Sequence, residues 1–212
     1  MSHDKDKDFR RALESAVASF GLEALTEEQA KRLTTHYLML CRWNQRVNLT
    51  RIIKPEEAAR LHYSESLFGA RFIAHERTLL DIGSGAGFPA IPIAIARPDV
   101  QVTALEANSK KSLFLKEAKE ALALTNFNVV TARLEDFDWP GYELLTSRAL
   151  EGAEAILPSV IERLTPHNRL MLFCAPDLLG KLGGHVTETI IETHRIPLSG
   201  ERLVAIFTRR II

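Results

Sequence analysis

The sequence predicts an α/β fold. A doubly wound, mostly parallel sheet of seven strands ends in an antiparallel hairpin. Residues 1–76 form a helical cap before it, and residues 77–212 form the sheet unit, the two packed as one. Three observations predict this. Up to about residue 77 the apolar residues recur at helical spacing. After it, strand and helix patterns alternate, which implies parallel strands with helices on both faces. The last two strand patterns are separated only by "SGE", too short for a crossover, so they pair antiparallel.

Each element has its own signal. "FRRALESAVASFG" sets Leu13, Val17 and Phe20 on one helical face and stops at Gly21. Thr26 followed by Gln29 has the spacing of a capping box, opening a helix through about Trp43 with Leu33, Tyr37 and Leu40 inward. "KPEEAARLHYSESLFGARFI" begins with Pro55 at a first helical position and acids in the first turn. "TLLDI" is then a strand and "FPAIPIAIAR" a helix. "VQVTALEA" is a strand, and "SKKSLFLKEAKEALAL" a helix with Leu113, Leu115 and Ala118 on its apolar side. "FNVVTA" and "YELLTSRA" are strands, "GAEAILPSVIERL" a helix, "RLMLFCA" a strand and "DLLGKL" a short helix. "HVTETIIETHRIPL" and "RLVAIFTRRI" close the chain as the hairpin.

Composition narrows the class. Lys plus Arg and Asp plus Glu both number 27, so net charge points to no polyanion, and any such surface is local. Residues 31–60 are one candidate: seven Lys/Arg stand against Glu56 and Glu57. A solvated helix face is the competing reading. The charged start "MSHDKDKDFRRALES" has no apolar core of a signal peptide. No apolar run has the length of a membrane span. Two cysteines, Cys41 and Cys174, make no disulfide framework. The expectation is a cytoplasmic protein with no membrane attachment; its oligomeric state is open, with a monomer as the default.

The stretch "DIGSGAGFP" joins the first strand to its helix, where an open parallel sheet binds ligands. Gly83, Gly85 and Gly87 are each one residue apart. A dinucleotide loop needs a third glycine where Phe88 stands, and a phosphate loop needs a Lys-Ser/Thr pair. Neither condition is met, so the loop suits a ligand approached by backbone without a pyrophosphate. Glu106 ends the next strand, where a carboxylate can accept both hydroxyls of a ribose. After the third strand, "ARLEDF" can set a backbone amide and Glu135 at an adenine edge. Together these describe the S-adenosylmethionine site of a class I methyltransferase, a Rossmann-like fold. Each feature has a plainer reading: a tight βα turn, a solvated strand-end acid, an acid near a helix start.

The chain resembles the bacterial small-subunit rRNA 7-methylguanosine methyltransferases, also called the glucose-inhibited division protein B family. "WNQRVNLTRI", "HYSESL", "LLDIGSGAGFPAIPIAIARP", "LEANSKKSLFLKE", "TARLEDF" and "TSRAL" carry the likeness, from about Trp43 to Arg148. The resemblance implies a cofactor site at Gly83, Phe88, Leu134, Glu135 and Arg148, with Glu106 on the ribose. It also implies methyl transfer to nitrogen 7 of a guanine in the decoding-region loop of 16S rRNA, with the 30S subunit as partner. Ala90 departs from the family's usual Gly, and Glu65 and Glu143 from its usual Asp. "TPHNRLMLFCAPD" replaces a glycine-rich turn, which bears on how RNA is held.

The chemistry fits what the sequence lacks. Nitrogen 7 of guanine carries a free lone pair, so no general base is expected and alignment does the work. No N/D-P-P-Y/F motif is present, and Cys174 in "FCAPD" reads as a small core residue. No metal site is expected. Arg148, the expected positioning residue, can grip a methionine carboxylate or an RNA phosphate at two points; alternatively it pairs with a sheet-end acid. Asp81 can fix the loop amides or face the cofactor's ammonium. Lys110 and Lys111 open a helix where cations oppose the dipole. Trp43, Asn44, Asn48 and Thr50 can contact RNA or seat the helical cap. His62 reads as an interior histidine. A small-molecule methyltransferase and a non-catalytic rRNA-binding assembly protein are the rival functions; the glycine spacing speaks against a nicotinamide enzyme.

Overall fold

A computed structural model describes residues 2–182 and 188–210. Seven strands form one sheet in the order β3-β2-β1-β4-β5-β7-β6. They are β1 (Thr78–Ile82), β2 (Gln101–Leu105), β3 (Phe127–Val130), β4 (Leu144–Arg148), β5 (Arg169–Cys174), β6 (Thr189–Arg195) and β7 (Leu203–Arg209). β1 to β5 run parallel, and β7 pairs antiparallel with both β5 and β6. The chain leaves β1 for β2 on one side and returns to β4 on the other. That reversal opens a crevice beyond the carboxyl ends of β1 and β4.

The helices are α1 (Ser2–Ser19), α2 (Glu27–Trp43), α3 (Pro55–Ala58), α4 (Glu65–Ala70), α5 (Ala90–Ala96), α6 (Ser109–Ala121), α7 (Ala153–Glu162) and α8 (Pro176–Leu182). The expected capping box is present: the Thr26 hydroxyl accepts the Gln29 amide at 3.2 Å, and the Gln29 side chain accepts the Thr26 amide at 3.0 Å. Two orphan donors of α2 are thus satisfied. The helix expected from Pro55 is interrupted: a π-helical turn, Ala59–Ser64, joins α3 to α4. In α6, Leu115 and Ala118 are buried as expected, but Leu113 is 51% exposed and Phe114 takes the inward position. The apolar stripe runs through 114, 115 and 118, so Leu113 lies one residue off it. The expected strand start at residues 185–187 lies outside the described residues, as does Ile211.

Two cores flank the sheet, and the strands alternate between them with period two. Leu79, Met171, Phe173, Val204 and Ile206 face one, together with the N-terminal helices, α5 and α6. Leu80, Ile82, Leu170, Leu172, Ala205 and Phe207 face the other, with α7. In the first, Phe9 stacks on Tyr37 with ring centroids 3.9 Å apart. Each fully buried side chain of this size contributes about 1.5–3 kcal/mol through lost contact with water. α1 and α2 therefore share a core with the sheet that carries the loop after β1. No helix among the described residues is long and apolar enough to cross a membrane.

Candidate active site

The crevice at the strand ends is a cavity of about 900 Å³. Asp81, the penultimate residue of β1, is fully buried below it. Its carboxylate accepts the Ser84 hydroxyl at 2.6 Å and the Thr146 hydroxyl at 2.9 Å. Burial pushes its pKa up to about 6, while these hydroxyls and the Ala90 amide pull the other way. Asp81 lies behind the cavity lining and braces the loop through Ser84. Gly87 also lies behind it: a Cβ there would sit 2.5 Å from Ile91 Cδ1, and its φ of +84 suits glycine. Gly85 faces open space, where an added Cβ would meet only the Gly83 carbonyl, at 3.8 Å.

Glu106 follows β2 directly and is 7% exposed. One carboxylate oxygen accepts the Gly85 amide and the other the Asn108 amide, both at 2.8 Å. The carboxylate is thereby locked against the glycine loop, and each oxygen keeps a second lone pair. Asn108 caps α6 by accepting the Lys110 and Lys111 amides at 3.0 and 3.2 Å. Lys111 reaches the cavity wall and Lys110 does not. Leu134 and Glu135 sit in a short 3-10 turn, Leu134–Asp136, on the same wall. Leu134 is buried and Glu135 is exposed.

Arg148 closes β4 and lines the cavity. It has the acidic partner of its plainer reading: Nη2 lies 3.2 Å from the Glu65 carboxylate and donates to the Leu61 carbonyl in the π turn. Nε and Nη1 are buried without a partner. Burial lowers its pKa to about 10, with the Glu65 charge opposing, so it stays a cation at neutral pH. Arg202 also reaches the cavity, from the turn between β6 and β7, and lies 3.1 Å from the same Glu65 oxygen. Two guanidiniums thus share one fully buried carboxylate, and the cluster keeps a net positive charge.

The remaining wall comes from the segment between α2 and α3. Thr50 Oγ1 lies 2.9 Å from His62 Nε2, and the His62 ring stacks on Phe88 with centroids 4.5 Å apart. Burial, then the charges of Arg148 and Arg202, depress His62 to about 3, so the ring is neutral at physiological pH. Asn44 does not reach the cavity; its side chain holds the loop by bonds to Leu49 and Thr50. Trp43 is tied by Nε1 to Glu117 of α6 at 3.2 Å. Among the described residues no group of three His, Cys, Asp or Glu could hold a metal ion. Cys174 is buried, and burial raises its thiol to about 11, which suits a core residue.

The cavity therefore unites Gly83, Gly85, Phe88, Glu106, Leu134, Glu135 and Arg148, with Asp81 and Gly87 supporting from behind. Thr50, His62 and Arg202 line it too. Arg202 was not among the expected residues: it arrives from the far end of the sheet, and no local pattern near "SGERL" marks it.

A family model described as rRNA small subunit methyltransferase G matches residues 29–177. The chain belongs to that family. It is 40% identical over 160 residues to the ribosomal RNA small subunit methyltransferase G of Xanthomonas campestris pv. campestris (strain B100), covering 74% of this chain and 75% of that one. The protein of the same description from Chromobacterium violaceum is 41% identical over 138 residues, covering 65% and 66%. Among solved structures, a SAM-dependent methyltransferase from Aquifex aeolicus superposes with a TM-score of 0.57 at 13% identity, covering 73% of this chain and 93% of that one. The family match covers the glycine loop, Glu106, Leu134, Glu135 and Arg148, and stops before Arg202. The sheet order and terminal hairpin are those of the class I methyltransferase fold.

Proposed function

We propose that this chain methylates nitrogen 7 of a guanine in the decoding-region loop of 16S rRNA, with S-adenosylmethionine as donor. The observation that carries this is the locked Glu106 carboxylate facing the same cavity as an open glycine loop and an incompletely bonded arginine, in a member of this family. The residues present fit the cofactor. Gly85 borders the cavity with a φ of +56, which suits glycine, and leaves open space beside its Cα. Glu106 retains acceptor capacity for a ribose diol, and the Leu134–Glu135 turn borders the same wall for a purine. Arg148 has two nitrogens, Nε and Nη1, whose N–H donors are unspent, suited to a carboxylate or phosphate.

When bound, S-adenosylmethionine supplies a methyl group already activated by its sulfonium. The chain's task is then to bind and align. Glu106 orients the ribose, Gly83 and Gly85 admit close backbone approach, and Phe88 with His62 walls off water. Arg148 positions an anionic group at the mouth of β4. No side chain needs to remove a proton, since nitrogen 7 presents its lone pair directly; His62, neutral and buried, acts in packing. Residues 1–76 serve as a cap packed as one unit with the methyltransferase unit 77–212. The protein acts in the cytoplasm on the 30S subunit.

Mass spectrometry of 16S rRNA from cells with and without the protein tests this reading. One 7-methylguanosine present only with it is expected. Identical rRNA from both strains would overturn it.

A further inference from the structure

No Asp or Glu falls between Glu28 and Glu56, while Arg42, Arg46, Arg51 and Lys54 all do. The structure turns this stretch into one wall of the cavity. Asn44 Oδ1 accepts the Leu49 and Thr50 amides at 2.9 and 3.0 Å, and Asn44 Nδ2 donates to the Thr50 carbonyl at 2.9 Å. Thr50 Oγ1 accepts the Ile52 amide at 3.1 Å, and the Tyr37 hydroxyl donates to the Ile53 carbonyl at 2.8 Å. The loop is thus held by its own polar groups and by the core, while Arg46, Arg51 and Lys54 point outward and exposed. Arg51 also borders the cavity.

Arg10, Arg32, Arg97, Arg169, Lys181 and Arg209 each meet a carboxylate. Arg46, Arg51 and Lys54 meet none among the described residues. Several other cations, Arg42 and Lys111 among them, also lack an ion pair among the described residues; what distinguishes these three is that they stand together on an acid-free, irregular segment beside the cavity. A solvated helix face does not describe them, because they stand on an irregular segment whose backbone is pinned. In a chain with no net charge, an acid-free rigid loop at the mouth of the cavity is a local positive surface. Phosphodiester groups are its electrostatic complement, and a fixed display of cations loses little entropy on meeting them.

We propose that the segment from Asn44 to Lys54 is the surface on which the single-stranded rRNA flanking the target base lies, its phosphates against Arg46, Arg51 and Lys54. This rests on the rRNA reading above and names the part of the chain that holds the strand. Base identity is not read here; these contacts fix register and orientation.

The test measures binding of the full-length protein to 30S subunits from cells lacking it, across a salt series, beside tritium transfer from labelled S-adenosylmethionine. Arg46→Gln/Arg51→Gln/Lys54→Gln is compared with wild type. The affinity for 30S should fall at least about tenfold, and the slope of log K against log salt should flatten by about 2, near 0.7 per lost phosphate contact. Arg46→Lys/Arg51→Lys should keep most of the slope. An unaltered slope and affinity in the triple variant, with its melting temperature held, would overturn the proposal. Binding is read apart from transfer. A wild-type chain that bound 30S but moved no methyl would refute the reaction assigned above, while the salt slopes still decided the loop's role.

Discussion

His36 donates its Nε2–H to the carbonyl of Ala86 across 3.1 Å, joining α2 to the glycine loop. A ring nitrogen facing a carbonyl must carry the proton, so Nδ1 is the acceptor, and the Tyr63 hydroxyl serves it at 2.9 Å. Burial holds His36 near 3, so this bridge stays neutral at physiological pH. The N-terminal helices therefore meet the loop after β1 through a polar contact inside an apolar core.

His36→Phe keeps the ring volume and deletes the bridge, leaving the Ala86 carbonyl buried without its donor. The expected loss of stability is about 1–3 kcal/mol, read by urea unfolding. Calorimetry should show weaker S-adenosylmethionine binding. Tyr63→Phe should do less, because it removes only the second bond of the pair.

Arg148→Ala should lower methyl transfer by more than about a hundredfold, as loss of a preorganised charged contact does. It also strips the buried Glu65 of one partner, at a cost of about 3–5 kcal/mol. Adding Glu65→Gln removes the uncompensated charge, so the double variant should melt above Arg148→Ala while remaining inactive. Equal melting temperatures would show that Glu65 is satisfied by Arg202 alone.

Glu106→Ala should abolish measurable S-adenosylmethionine binding by calorimetry, since it removes the proposed diol acceptor and the anchor of the Gly85 and Asn108 amides together. Glu106→Gln keeps one acceptor oxygen and should bind weakly. The protein should stay folded in both cases, because this carboxylate borders the cavity and lies outside the two cores.

Three buried groups set the acid response. His36 and His62 have folded values near 3, below their ordinary 6.5, so the unfolded chain binds more protons and stability is lost as pH falls below about 6.5. Asp81 is raised to about 6 from 3.8, so the folded chain binds more protons between those values, and stability from this group grows as pH falls through 6. Two histidines outweigh one aspartate, and the melting temperature should drop from pH 7 to pH 5. Asp81→Asn should steepen the drop; a shallower one would refute the sign.

Where the signal was local, the sequence carried it. Thr26 and Gln29 announced their capping box, and the "SGE" turn announced the hairpin. The closeness of the glycine loop and Glu106 could be anticipated because both lie at the strand ends of one βαβ unit, where the Gly85 amide meets the Glu106 carboxylate. Arg202 was not, because it meets Glu65 only after the sheet has closed. Asn44 illustrates another limit: a polar residue in a loop reads alike whether it faces a partner or holds its own backbone. Asp81, in β1, and Gly87, in the loop after it, both lie behind the cavity lining, because which side a residue serves depends on contacts such as Ser84 and Ile91 that spacing alone does not encode.

The π-helical turn at Ala59–Ser64 behaves as a phase shift. It fits one surplus residue into a helical turn, so everything beyond it is rotated by about 100° relative to an uninterrupted helix. His62 and Glu65 owe their azimuth to that surplus. Removing a single residue here would conserve helix content and core composition while swinging the Glu65 carboxylate away from Arg148 and Arg202. For this stretch, length is as strict a constraint as identity, and one-residue deletions should be tolerated far less than conservative replacements.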